Sequence, residues 1–204
     1  MRLYNSLEAI QRAACVGITV GAIFDCDSPL KASVNERLLV GNLADILTVT
    51  FDVTNTSIIT DITMQLGKAM FEFQGARSSN IPDISGAFDD VSVGFIHQLD
   101  FSVFEVDAPQ KENLQAMASV KQFLIYQNPN DTSLGDAVFE VMGVASGLEM
   151  STIARLPASK DGSYKIQLRT PEAASETSLP NSFFDGTSFA TTLILIDALL
   201  VPAV

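Results

Sequence analysis

The chain has 204 residues and a formal net charge of −12, from 12 basic and 24 acidic side chains. An apolar content of 47% is enough for a large core and excludes a disordered chain. The acidic balance argues against a nucleic-acid-binding protein, because such proteins cluster Lys and Arg against phosphate. No apolar run reaches the roughly 20 residues that span a bilayer, so we expect no membrane contact.

Residues 1–22 are predicted to form a helical arm ahead of a β-rich domain. Asn5 and Glu8 have the spacing of a capping box, and Leu7 and Ile10 fall on one face of the helix. Charged and polar side chains interrupt the apolar stretch, which argues against a signal peptide and indicates a protein made in the cytoplasm.

A period of two dominates the apolar pattern, which is typical of antiparallel strands with one buried face. In the longest example, residues 95–106, apolar side chains alternate with Gln98, Asp100 and Ser102. The dipeptide Asp161-Gly162 predicts a hairpin just before another strand. The other predicted strands cover residues 47–53, 58–66, 71–73, 121–127, 137–142, 164–168 and 189–195.

One helix is predicted between these strands, from a cap at Asp107 to about Val120. Its buried stripe consists of Leu114, Met117 and Ala118, so the helix presents one apolar face to a sheet.

Two loops, residues 74–88 and 171–188, are longer than ordinary connections and are candidates for functional arms. With the strands and helices, they predict a single mainly β domain over residues 1–204. The expected fold is an antiparallel β-sandwich or partly closed barrel with one flanking helix and a short N-terminal helix.

The sequence contains no complete match to a known catalytic motif. The single histidine, His97, falls on the apolar face of its strand, so we expect a hydrogen-bonded core residue and not a general base. Ser146 lies close to a GxSxG pattern but one position too late. Asp25 and Asp27 are expected to be solvated turn carboxylates, and whether they bind a cation stays open. We therefore expect no enzymatic activity, no cofactor and no metal site.

Five segments of the chain form a recognisable series, with loose motifs that are rich in aromatic residues. They are residues 24–30 (FDCDSPL), 36–46 (ERLLVGNLADI), 67–75 (GKAMFEFQG), 94–104 (GFIHQLDFSVF) and 139–150 (FEVMGVASGLEM). In this order, the segments resemble virion proteins of phages that infect Bacteroidetes. The proteins in question are tail-tube-like proteins, including the ring proteins of the crassvirus-like tail barrel. The resemblance covers most of the chain, from about residue 23 to 168.

The resemblance implies a β-sandwich or barrel flanked by a helix, in a structural protein without enzymatic activity. Such protomers assemble head-to-tail into rings, here expected to hold six or twelve copies, which stack into a conduit for DNA. The expected partners are further copies of the chain and the neighbouring tail or neck ring proteins, in a virion assembled in the host cytoplasm. DNA is expected to pass through the lumen without specific binding. The resemblance fixes no functional residue.

Four apolar residues are candidate self-assembly contacts: Leu7 and Ile10 on the predicted arm, and Phe183 and Phe184 at a predicted loop tip. The alternative for the two phenylalanines is packing against their own core. Two other functions stay open at this point: a capsid auxiliary or head–tail connector protein, and a small ligand-binding β-domain.

Overall fold

The computed structural model describes residues 37–74, 80–88, 93–103, 108–128, 138–155, 163–171 and 173–203. These residues form eleven strands, two α-helices and a short 3-10 helix, Leu43–Asp45. The strands are β1 (Arg37–Asn42), β2 (Ile46–Phe51), β3 (Ile58–Met64), β4 (Phe71–Gln74), β5 (Ile81–Phe88), β6 (Val93–Val103), β7 (Gln122–Asn128), β8 (Val138–Met142), β9 (Glu149–Arg155), β10 (Tyr164–Arg169) and β11 (Asn181–Phe183). The helices are α1 (Ala108–Met117) and α2 (Phe189–Ala198).

The strands form two sheets. The large sheet has seven strands in the order β2-β3-β11-β8-β7-β1-β4, and the small sheet has four in the order β5-β6-β10-β9. Neighbouring strands are antiparallel except for β11 and β3, which are parallel. The predicted mainly β, sandwich-like fold is confirmed, and the sheets do not close into a barrel.

The large sheet is the middle layer, because its strands supply residues to two separate core clusters. Leu38 and Val40 of β1 pack with residues of the small sheet and with Leu114 of α1. Leu39, which lies between them in the sequence, packs with Ile196 of α2 on the opposite face. The small sheet and α1 thus contribute to one cluster, and α2 to the other.

Helix α2 corrects a sequence prediction, because residues 189–195 were expected to be a strand. Ser188 begins the helix with a capping box: its hydroxyl accepts from the Thr191 N–H, and the Thr191 hydroxyl accepts from the Ser188 N–H. The helix then buries Thr192 and Ile196. The content of threonine, phenylalanine and isoleucine in this segment favoured a strand, but capping and burial on one side favour the helix.

The two loops predicted as arms also contain strands. β5 lies within residues 74–88, and β11 lies within residues 171–188. Helix α1 agrees with its prediction, with Leu114 and Met117 buried, although Ala118 is exposed. The predicted arm at residues 1–22 and the Asp25–Asp27 pair lie outside the described residues.

Candidate functional site

Residues 173–180, here called the strap, lie along β6. The Glu176 N–H donates to the Phe95 carbonyl at 2.8 Å, and the Phe95 N–H donates to the Glu176 carbonyl at 2.9 Å. The two backbones approach closely because Gly94 has no side chain: a Cβ there would lie 2.0 Å from the Ser175 hydroxyl oxygen. The strap therefore continues the small sheet beside β6 by one antiparallel pair.

The strap also places a carboxylate in the interior. Glu176 is 3% exposed, and its carboxylate accepts from the N–H groups of Ala145, Ser146 and Gly147 at 3.1, 2.9 and 3.2 Å. Gly147 has φ +80°, a conformation that glycine adopts without strain. Consecutive N–H groups in such a turn form a concave donor site that suits a negative charge. The three N–H groups of this turn therefore stabilise the Glu176 carboxylate.

His97 contacts the strap two residues further on. Its imidazole is buried, and Nε2 lies 2.9 Å from the Ser178 carbonyl oxygen. A carbonyl only accepts, so Nε2 carries the proton and Nδ1 is the bare nitrogen. Nδ1 has no hydrogen-bond partner among the described residues. Burial lowers the pKa of His97, and the negative charge of Glu176 opposes that shift.

Ser146 is tied to the same segment, because its hydroxyl donates to the Ser175 carbonyl at 2.9 Å. The serine and the histidine considered as catalytic candidates therefore both donate to strap carbonyls. The prediction that His97 is a hydrogen-bonded core residue is confirmed. Sequence reasoning missed Glu176, because it lies in a turn-rich segment without an apolar period, and no pattern distinguishes it from a solvated glutamate.

The candidate assembly residues lie in different environments. Phe183 is in β11 and is 1% exposed, so it packs in the core as the alternative interpretation expected, and its placement at a loop tip is corrected. Phe184 is half-buried, and its N–H donates to the Ile59 carbonyl at 2.9 Å. Leu7 and Ile10 lie outside the described residues. No contact tests an assembly role for Phe184, which stays a prediction.

Four strands lie at sheet edges: β2 and β4 in the large sheet, β5 and β9 in the small one. Two of these edges are protected. β4 has only four residues, and the Met70 N–H just before it donates to the Leu199 carbonyl. β5 contains Pro82, which has no N–H to offer a new strand.

The edges β2 and β9 are less protected. They contain six and seven residues, neither includes a proline, and their longest uncharged stretches are ILTVTF and MSTIA. Leu47 of β2 is 62% exposed, and Ile153 of β9 is 48% exposed. Irregular pairing twists both strands, which is itself a partial protection. Among the described residues, each edge nevertheless lacks an outer partner strand and carries an exposed branched side chain.

Helix α2 adds apolar surface, since Ile194 points away from its buried side and is 67% exposed. Among the described residues, neither helix is long and apolar enough to cross a membrane. The same part of the chain holds no group of three or more His, Cys, Asp or Glu arranged to bind a metal ion.

No protein-family model, curated protein or solved structure matches the chain.

Proposed function

We propose that this chain is a structural virion protein that assembles with copies of itself into a ring of a phage tail or neck. The observation that carries the proposal is the pair of sheet edges β2 and β9, which lack an outer partner strand among the described residues and carry uncharged stretches of six and five residues. An open edge presents N–H and C=O groups that another strand can pair with, and soluble proteins usually protect such edges.

The two edges belong to different sheets, so they are different surfaces. A contact that joins β2 of one copy to β9 of the next is heterologous, and repetition of a heterologous contact forms a ring when its rotation closes. The resemblance to tail-barrel ring proteins supports the same arrangement. In this proposal, neighbouring tail or neck proteins bind the ring faces.

The net charge of −12 suits a conduit through which DNA passes. Phosphate is attracted to clustered basic residues and repelled by acidic ones, so an acidic wall does not retain the DNA during ejection. The proposed role needs no catalytic residue and no cofactor.

The experiment compares lysine substitutions at edge and non-edge positions of similar exposure. Ile153→Lys in β9 adds a charge to an open edge, and Leu47→Lys does the same in β2. Val120→Lys is the control, because Val120 is 41% exposed and follows α1, outside both edge strands. We expect the two edge variants to lower the native mass, measured by light scattering, and the control to keep it. Equal native masses for all three variants and the unmodified protein would contradict the proposed interface.

A further inference from the structure

Two ionisable side chains hold the strap in place. Glu176 belongs to the strap, and His97 contacts it from β6. Glu176 joins it to the turn at residues 145–147 through three N–H donors. His97 joins it to β6 through the Ser178 carbonyl. Both side chains are almost fully buried, so a change in either charge acts inside the protein, where water does not compensate for it.

The bonding of His97 fits only the neutral imidazole. Protonation places a second N–H on Nδ1, and Nδ1 has no acceptor among the described residues. A buried donor without a partner is costly, and a buried charge is more so. We propose that the strap is a pH-sensitive latch, closed while His97 is neutral and opened when His97 takes up a proton.

Among the described residues around the imidazole, one charged group opposes opening of the latch, because it stabilises the protonated imidazole in the closed state. Ile84 of β5 lies opposite His97 in the strand register and does not titrate. On the other side, the Thr170 hydroxyl accepts from the backbone N–H of His97 at 3.0 Å, and threonine does not titrate either. Glu176 is the charged residue of the described chain that acts on the imidazole, and its negative charge favours the protonated form. Burial outweighs it, since the net shift of the His97 pKa is downward.

The direction of the pH effect on the latch follows from the lowered pKa of His97. The closed state has the lower His97 pKa, so the open state binds the proton more readily. The latch is fully stabilised above the ordinary histidine pKa of about 6.5, and it loses stability as the pH falls from there through the lowered pKa.

The chain has one histidine, so its imidazole NMR signal can be assigned without ambiguity. The first measurement follows that signal from about pH 8 to about pH 4 in the unmodified protein. The second records amide hydrogen exchange of Glu176 and of Ser146 and Gly147, which donate to it; these three are here called the strap amides. The exchange is followed over the same range and corrected for the intrinsic pH dependence, with the core amide of Leu124 as reference. We expect an imidazole pKa below about 6.5 and strap amides that lose protection at least several-fold more than Leu124 as the pH falls.

His97→Gln is the matched variant, because its amide can still donate to the Ser178 carbonyl but takes up no proton. In this variant, we expect the strap amides to keep their protection at about pH 5. The proposal is overturned if the imidazole of the unmodified protein titrates at its ordinary pKa, or if the strap amides and Leu124 change by the same factor. It is also overturned if a folded His97→Gln protein loses strap protection on acidification as the unmodified protein does.

Discussion

Arg37, the first residue of β1, and Asp197, in the last turn of α2, form an ion pair across 160 positions of the sequence, with Nη2 and Oδ1 2.5 Å apart. The same guanidinium contacts Glu72 of β4 at 3.1 Å. One side chain thus connects the edge of the large sheet to the helix that covers it. Burial alone would lower the pKa of Arg37, but the carboxylates of Asp197 and Glu72 together outweigh it, and the pKa is raised. The guanidinium is charged at any ordinary pH.

Loss of the Arg37–Asp197 ion pair is expected to have a small effect on the free energy of unfolding, because both side chains are partly exposed to solvent. We expect Arg37→Ala to lower the free energy of unfolding by about 0.5–1 kcal/mol. A double-mutant cycle with Asp197→Ala should give a coupling energy of about 0.2–1 kcal/mol in urea unfolding. A coupling energy of zero would show that the pair contributes nothing to holding α2.

The cap of α2 should contribute more than this ion pair. Ser188→Ala removes the acceptor for the Thr191 N–H, and we expect a loss of about 1 kcal/mol in the free energy of unfolding. Thr187→Ala is the control, because Thr187 is exposed and precedes the cap. Its effect should stay within about 0.5 kcal/mol. If the two variants unfold at the same urea concentration, the capping box does not stabilise the helix.

Apolar patterning predicts strands with one wet face, but it does not reveal strand β1 or helix α2. Strands with one wet face, such as β3 and β10, alternate and were predicted close to their observed bounds. β1 has both faces buried, so Leu38, Leu39 and Val40 form a continuous apolar run without alternation. The sequence of α2 is apolar and rich in branched residues, and nothing in its local pattern reveals that only one side faces a sheet.

The buried carboxylate of the strap should matter more to stability than any exposed charge. Glu176→Ala leaves the N–H groups of residues 145–147 without their acceptor, and we expect the free energy of unfolding to fall by about 2–4 kcal/mol. Glu149→Ala is the matched control, since Glu149 is exposed and lies 3.9 Å from Lys121. Its effect should stay below about 1 kcal/mol. Similar losses in both variants, measured by urea unfolding, would contradict the role given to the turn.

In the site, as in the fold, the sequence predicts residues that follow a periodic pattern and misses contacts that do not. His97 was placed correctly because it shares a strand face with Leu99 and Phe101, and a period of two is visible in the sequence. Its partner in the strap is a backbone carbonyl 81 positions away, at Ser178. Contacts between a loop backbone and a distant side chain leave no periodic trace, so neither the strap nor the burial of Glu176 was predictable.

Tyr126 and Glu140 form a second polar pair, across β7 and β8. The Tyr126 hydroxyl donates to the Glu140 carboxylate at 2.5 Å, and Tyr126 is 1% exposed. Burial raises the pKa of Tyr126, and the negative charge of Glu140 raises it further. The phenol should therefore stay protonated in the folded protein well above the ordinary tyrosine pKa of about 10.

An alkaline absorbance titration tests this expectation, because the chain has only three tyrosines. Tyr126→Phe should give the same phenolate signal as the unmodified protein up to about pH 11, since Tyr126 does not contribute to it. If the signal of Tyr126→Phe is smaller by one tyrosine while both proteins are folded, Tyr126 ionises normally and its pairing with Glu140 is wrong.

The mass of the purified native protein tests the central claim, self-assembly, most directly. Light scattering gives the mass, and negative-stain images of the same sample give the symmetry. The proposed ring predicts closed particles of six or twelve copies of the 21.9 kDa chain. A particle with the mass of one chain at every concentration measured would contradict self-assembly through the open edges β2 and β9.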